Sequence, residues 1–403
     1  MGDAKNCIQL NRYLLTWFII TAFHSLAAQC HLNWDSILFC APEFSQLATN
    51  PKKYRLKIIC TEVVRSPDGG THFFTSHFNP YDSTYYYPAS IVKLPASIFA
   101  CEKITALSPY GVDLDTRLII DSNYICQTPL YFDYYTNDST ASISEFIEKA
   151  LVVSDNVAYS RLYEFVGAEY FVKRFNEMNM DGAAIRHRFS NCDDSANRHT
   201  NPFHFINNLG DTLYTQPGSH FAGQYPTLGP SSLVGKAQKI NGKWVKEPKS
   251  FKNSNALPLD YIHAMMMELI YPESQLFDYS ISEAQRKYLR AMLTISPIMS
   301  KNNKIATNKD FHSNYTNYLF FGQDPSPREN NIELCNIVGL AYGFMTDVCY
   351  VKDPEKGTEF FLSASLYLNE SNSFGTGNYE YEKIGFPFLK CLGWKIKSEL
   401  END

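Results

Sequence analysis

Lysine and arginine nowhere form a run in this 403-residue chain, so the basic footprint of a nucleic-acid-binding protein is missing. Among its 10 cysteines there is no Cys-x-x-Cys pair and no Cys/His cluster, which argues against a zinc site. No internal repeat is present. Charged residues are sparse at 19%, yet hydrophobic residues reach 44%, a balance that excludes a disordered chain. The net charge of -6 names no partner. What the chain has in excess is aromatic: 27 Tyr and 28 Phe, read here as filling for a bulky core.

Near the start, Lys5 and Arg12 precede an apolar stretch at residues 13–28 that closes on Ser25, Ala27 and Ala28. The stretch is short for a membrane span and contains His24, so it predicts a signal peptide over residues 1–29 and export to the periplasm or beyond. Cys7 would leave with it. In an oxidising compartment some of the remaining nine cysteines pair, and the sequence does not say which.

Beyond residue 30 the period changes several times. Residues 32–47 predict an amphipathic helix. Two strand-like runs at 55–64 and 72–78 flank Pro67-Asp68-Gly69-Gly70, a hairpin signal because glycine supplies the positive φ of a tight turn. Residues 88–104 and 142–175 read as helical, with Ser142 and Glu145 in capping-box spacing and Gly167 separating two helices. Further helices are expected at 259–269 and 282–293, an irregular excursion at 211–252, strands at 341–351 and 359–368 around a turn at 353–357, and a helix near Lys390. The order predicts an α/β (α+β) fold. An antiparallel sheet is built from both chain ends (about 32–88 and 330–403), is flanked by helices, and holds an inserted, mostly helical lobe at about 89–329.

Two constellations carry chemistry. In Pro88-Ala89-Ser90-Ile91-Val92-Lys93, positions three apart share a helix face, so the Lys93 amine can meet the Ser90 hydroxyl. A serine is a poor nucleophile until a neighbour takes its proton, and a desolvated lysine can do so. Sixty-four residues later stands Ser154-Asp155-Asn156. A second serine can pass a proton to a leaving group, and Asn156 can bond both the lysine and a substrate amide. Asp155 fits better as a turn former than as a reactant.

Ser90-x-x-Lys93 followed by Ser154-Asp155-Asn156, with a glycine-bearing strand at Asn336-Ile337-Val338-Gly339-Leu340-Ala341 and Arg198-His199-Thr200-Asn201-Pro202 between them, resembles the class A serine beta-lactamases and penicillin-binding proteins. The resemblance implies a serine hydrolase acting on a small amide or ester such as a beta-lactam or a cell-wall peptide, without metal or organic cofactor. It makes Ser90 the acylated nucleophile, Lys93 its base, Ser154 the proton shuttle and Asn156 a substrate-binding side chain. The N–H groups of Ser90 and Leu340 become the oxyanion hole, and Gly339 lets substrate lie close to the strand. The spacing from Ser154 to Gly339 is longer than the family's, implying an insertion at about 211–327. Two departures stand out. Ile337 and Val338 replace the lysine and threonine of the family's K-T-G, and no glutamate lies between Glu177 and Glu247, where the deacylating base belongs. That position falls near Ser190, with Asp193 or Asp194 the nearest substitutes. The alternatives are a D-Ala peptidase-like enzyme, or a degenerate relative that binds cell-wall fragments or a protein.

Overall fold

The computed structural model describes residues 32–39, 41–80, 84–326 and 332–402. The expected signal peptide, Cys30 and Cys40 lie outside them. Strands β1 (Lys57–Arg65) and β2 (Thr71–Phe78) form the first hairpin; Gly69 at φ 87° makes its turn, closed by Ser66 N to Gly70 O at 2.9 Å. The chain then runs through helices α1 (Lys93–Leu107), α2 (Ile143–Val152), α3 (Asn156–Val166), α4 (Ala168–Glu177), α5 (Leu259–Ile270) and α6 (Glu283–Thr294). It returns as β3 (Glu333–Ala341), β4 (Phe344–Lys352) and β5 (Glu359–Tyr367), and ends in α7 (Phe386–Leu400).

The five strands make one antiparallel sheet in the order β3-β4-β5-β1-β2, so the two chain ends meet at the β5–β1 seam, where Lys57 pairs with Ser365. Every residue of β5 is buried, without the usual alternation, because both faces of the sheet are covered. On one face α7 and the N-terminal helices pack Phe388, Leu389 and Ile396 against Ile58 and Leu362. On the other, the helical lobe packs Phe99, Phe165, Phe171 and Tyr163 against Ile337 and Phe361. The aromatic excess is thus largely core.

Several local expectations need correction. Residues 32–47 form two helices, Trp34–Leu38 and Pro42–Thr49, because Pro42 cannot continue the first and opens the second. The strand expected at 341–351 begins at Phe344; Tyr342 (φ 56°) and Gly343 (φ 85°) turn the chain between β3 and β4. Ser142 caps α2 by accepting from Glu145 N, but the Glu145 carboxylate is bonded to Asn302, so the reciprocal half of the box is not formed; a full box stands at Ser282 and Gln285. Residues 211–252 hold short strand pairs rather than irregular chain, such as Leu233–Val234 with Lys249–Ser250. The expected insertion contributes to the core: Ile262, Met265 and Met266 of α5 are fully buried in the main cluster.

Candidate active site

Ser90 lies in a short 3-10 turn, Ala89–Val92, that runs directly into α1. The turn is entered through Ala89 at φ 47°, a left-handed conformation costly for a residue with a Cβ, and Pro88 just before it favours a sharp entry. A second left-handed residue, Ser154 at φ 57°, breaks the chain between α2 and α3. Asp155 then caps α3 by accepting from Ala158 N at 2.6 Å, the turn-forming part expected of it. These two kinks bring the sequence-predicted side chains together. The Lys93 Nζ lies 2.8 Å from Ser90 Oγ, 2.9 Å from Ser154 Oγ and 2.9 Å from Asn156 Oδ1, and it also donates to the Ser154 carbonyl.

The electrostatics follow from burial. Lys93 is fully buried, and desolvation lowers its ammonium to about 7, against a smaller opposing pull from Asp155. In the neutral amine only two N–H bonds remain. The Ser154 carbonyl and Asn156 Oδ1 can only accept and will hold those two. The lone pair is then left for a hydroxyl, and both Ser90 and Ser154 present one.

Gly339 does something other than expected. A Cβ there would collide with the Pro88 carbonyl oxygen and lie 3.0 Å from Ile91, so the missing side chain admits the Ser90 turn against β3, not substrate. We expect Gly339→Ala to cost about 1–3 kcal/mol through overpacking against backbone, read as a lowered denaturation midpoint. Leu340 turns its side chain to the α7 face of the sheet. Ala341 and Phe344 are the bonded pair that closes the two-residue turn, so the alternation of the ladder directs the Leu340 N–H off the sheet edge. Ile337 is buried in the core at 2% exposure and Val338 faces the opposite side, so neither offers the polar contact of the family's pair.

Both aspartates near Ser190 have structural partners. Asp193 caps a short helix by accepting from Ala196 N at 2.7 Å, and Asp194 pairs with Arg198 at 2.8 Å. Two features that sequence reasoning missed shape this side of the site. Phe189, one residue before the counted position, lays its ring 5.5 Å from the Lys93 Nζ and 4.4 Å from the Tyr159 ring. Its loop is held by the buried Arg188–Glu164 pair at 2.7 Å and by a Cys126–Cys192 disulfide. The order Arg188-Phe189-Ser190 was visible in the sequence, but nothing there marked Phe189 as covering the lysine. Among the described residues no His/Cys/Asp/Glu group could hold a metal.

A buried lysine within hydrogen-bond reach of two serines and an asparagine, set where a helical lobe meets a sheet edge, defines the serine–lysine class of site. Residues 71–213, which contain all four side chains, match the model of the beta-lactamase enzyme family, so the resemblance seen in the sequence is shown for that stretch. Solved structures align at low identity. A class A beta-lactamase from Bacteroides cellulosilyticus is 11% identical over 88% of this chain and 98% of that one, with a TM-score of 0.47. A beta-lactamase from Xanthomonas campestris is 12% identical over 88% and 96%, at 0.46. PBP-A is 12% identical over 89% and 96%, at 0.49. No curated protein matches the chain.

Proposed function

We propose that the protein is an exported serine hydrolase that acylates Ser90 with a small amide or ester, of the beta-lactam or cell-wall-peptide kind, and releases the acyl group slowly. The observation that carries this reading is the fully buried Lys93 bonded to Ser90, Ser154 and Asn156. In the acylation step Ser90 Oγ bonds to the substrate carbonyl carbon while its proton passes to Lys93 Nζ. The N–H groups of Ser90 and Leu340 receive the charge that develops on the carbonyl oxygen. The carbonyl carbon then parts from the leaving nitrogen or oxygen, which takes a proton relayed through Ser154. Hydrolysis of the acyl-serine needs an activated water, and on this side of Lys93 the chain presents the Phe189 ring in place of a carboxylate. A persistent adduct follows from that substitution. Export is supported by the first 29 residues and by the Cys126–Cys192 disulfide, which an oxidising compartment would keep.

The test is intact-mass spectrometry after incubation with a penicillin, a cephalosporin and an alkyl fluorophosphonate. We expect a stoichiometric adduct that survives for minutes or longer and is absent from Ser90→Ala. Fast turnover of a beta-lactam would refute slow release. An unlabelled wild type would favour the degenerate, binding-only alternative.

A further inference from the structure

The position that carries a cation in the family's strand is Ile337, an apolar residue in the core. A different cation stands just past the C-terminal end of the same strand. Lys249, from the inserted segment, pairs its backbone with Val234 and holds its Nζ 4.9 Å from the centre of the Tyr342 ring and 5.4 Å from that of Phe251. It is half-buried, and among the described residues it forms no ion pair and no side-chain hydrogen bond. Burial alone shifts its ammonium downward, with no acid compensating. A cation left on aromatic faces, short of water and without a carboxylate, has unspent capacity for an anion.

Its location ties that capacity to Ser90. Tyr342 follows Leu340 by two residues, about 7 Å of extended chain, and keeps 40% of its surface exposed. The Tyr87 ring, three residues before Ser90, packs 5.4 Å from Tyr342 and 5.5 Å from Phe251. Ala89 belongs to the same buried cluster. One layer of rings therefore spans from the Ser90 turn to Lys249. An acyl chain directed from Ser90 and Leu340 toward the C-terminal end of β3 would meet Tyr342 first and the Lys249 amine beyond it.

We propose that Lys249 selects acyl donors bearing a carboxylate on the acyl side, anchored across the Tyr342 ring. This rests on the acyl-transfer reading of Ser90. Two activated phenyl esters test it, identical except that one ends its acyl chain in a carboxylate and the other in the corresponding methyl ester. In wild type the acylation rate constant should favour the carboxylate about tenfold, the effect of one hydrogen bond to a charged group. That ratio should fall to about one in Lys249→Met, persist in Lys249→Arg, and shrink with added salt. An equal ratio in wild type, or one unchanged in Lys249→Met, overturns the assignment. If the neutral ester gives no Ser90-dependent adduct, it is the underlying acyl-transfer reading that fails.

Discussion

Replacing Lys93 by Met lowers the rate of Ser90 labelling by an acylating probe about a thousandfold at pH 7, within the range general-base removal produces. Met nearly matches the aliphatic stem in volume, so the packing in this fully buried position survives while the amine is lost. Arg at the same position rescues nothing, because a guanidinium stays charged and has no lone pair to accept the Ser90 proton. The wild-type rate carries a further signature. In the proposed acylation only a neutral amine can take the proton, and burial lowers the Lys93 pKa to about 7, so labelling is expected to rise as pH increases through about 7 and to level above it. In Lys93→Met that rise disappears. A labelling rate within tenfold of wild type, with the rise intact, would mean another group takes the proton.

The second large effect is on stability. Glu164 accepts from Arg161 at 2.9 Å and from Arg188 at 2.7 Å, and all three side chains are buried. Arg188 further donates to the carbonyls of Ala196 and His199 at 2.9 and 2.6 Å. Glu164→Leu leaves two guanidinium groups in the interior without a counter-charge, at a cost of about 3–5 kcal/mol. Denaturant titration followed by circular dichroism reads it, and a loss below about 1 kcal/mol would show that the carbonyls alone satisfy the arginines. Because Arg188 adjoins Phe189, the same substitution should shorten the lifetime of the acyl-enzyme by admitting water beside Lys93.

Local signals placed more of this molecule than distant ones. Ser90 and Lys93 share a turn, and Ser154 and Asn156 flank a turn-forming Asp155, so Ser90, Lys93, Ser154 and Asn156 could be read from the sequence as one group. The two-ended sheet was legible too, since β1–β2 and β4–β5 each carry their own turn. What stayed hidden depends on residues far apart in the chain. Gly339 looked like a substrate-facing gap, and only the approach of Pro88 reveals it as a packing gap. Lys249 sits in a stretch whose composition reads as loose chain, and nothing in its neighbours along the sequence points to Tyr342. Residues 32–47 kept a helical period across Pro42, and there the period outweighed a breaker that the backbone obeys.

The seam where Lys57 meets Ser365 has a consequence for how the protein comes into being. Ser90 is synthesised early, yet the strand edge that would complete its oxyanion site lies in the last fifth of the chain. Joining such remote segments carries a loop-closure cost before any pairing repays it, which makes for slow folding. A growing polypeptide would therefore remain chemically inert toward acyl donors until its final strands emerge and dock, and trimming those strands from the finished molecule would silence the serine without touching it.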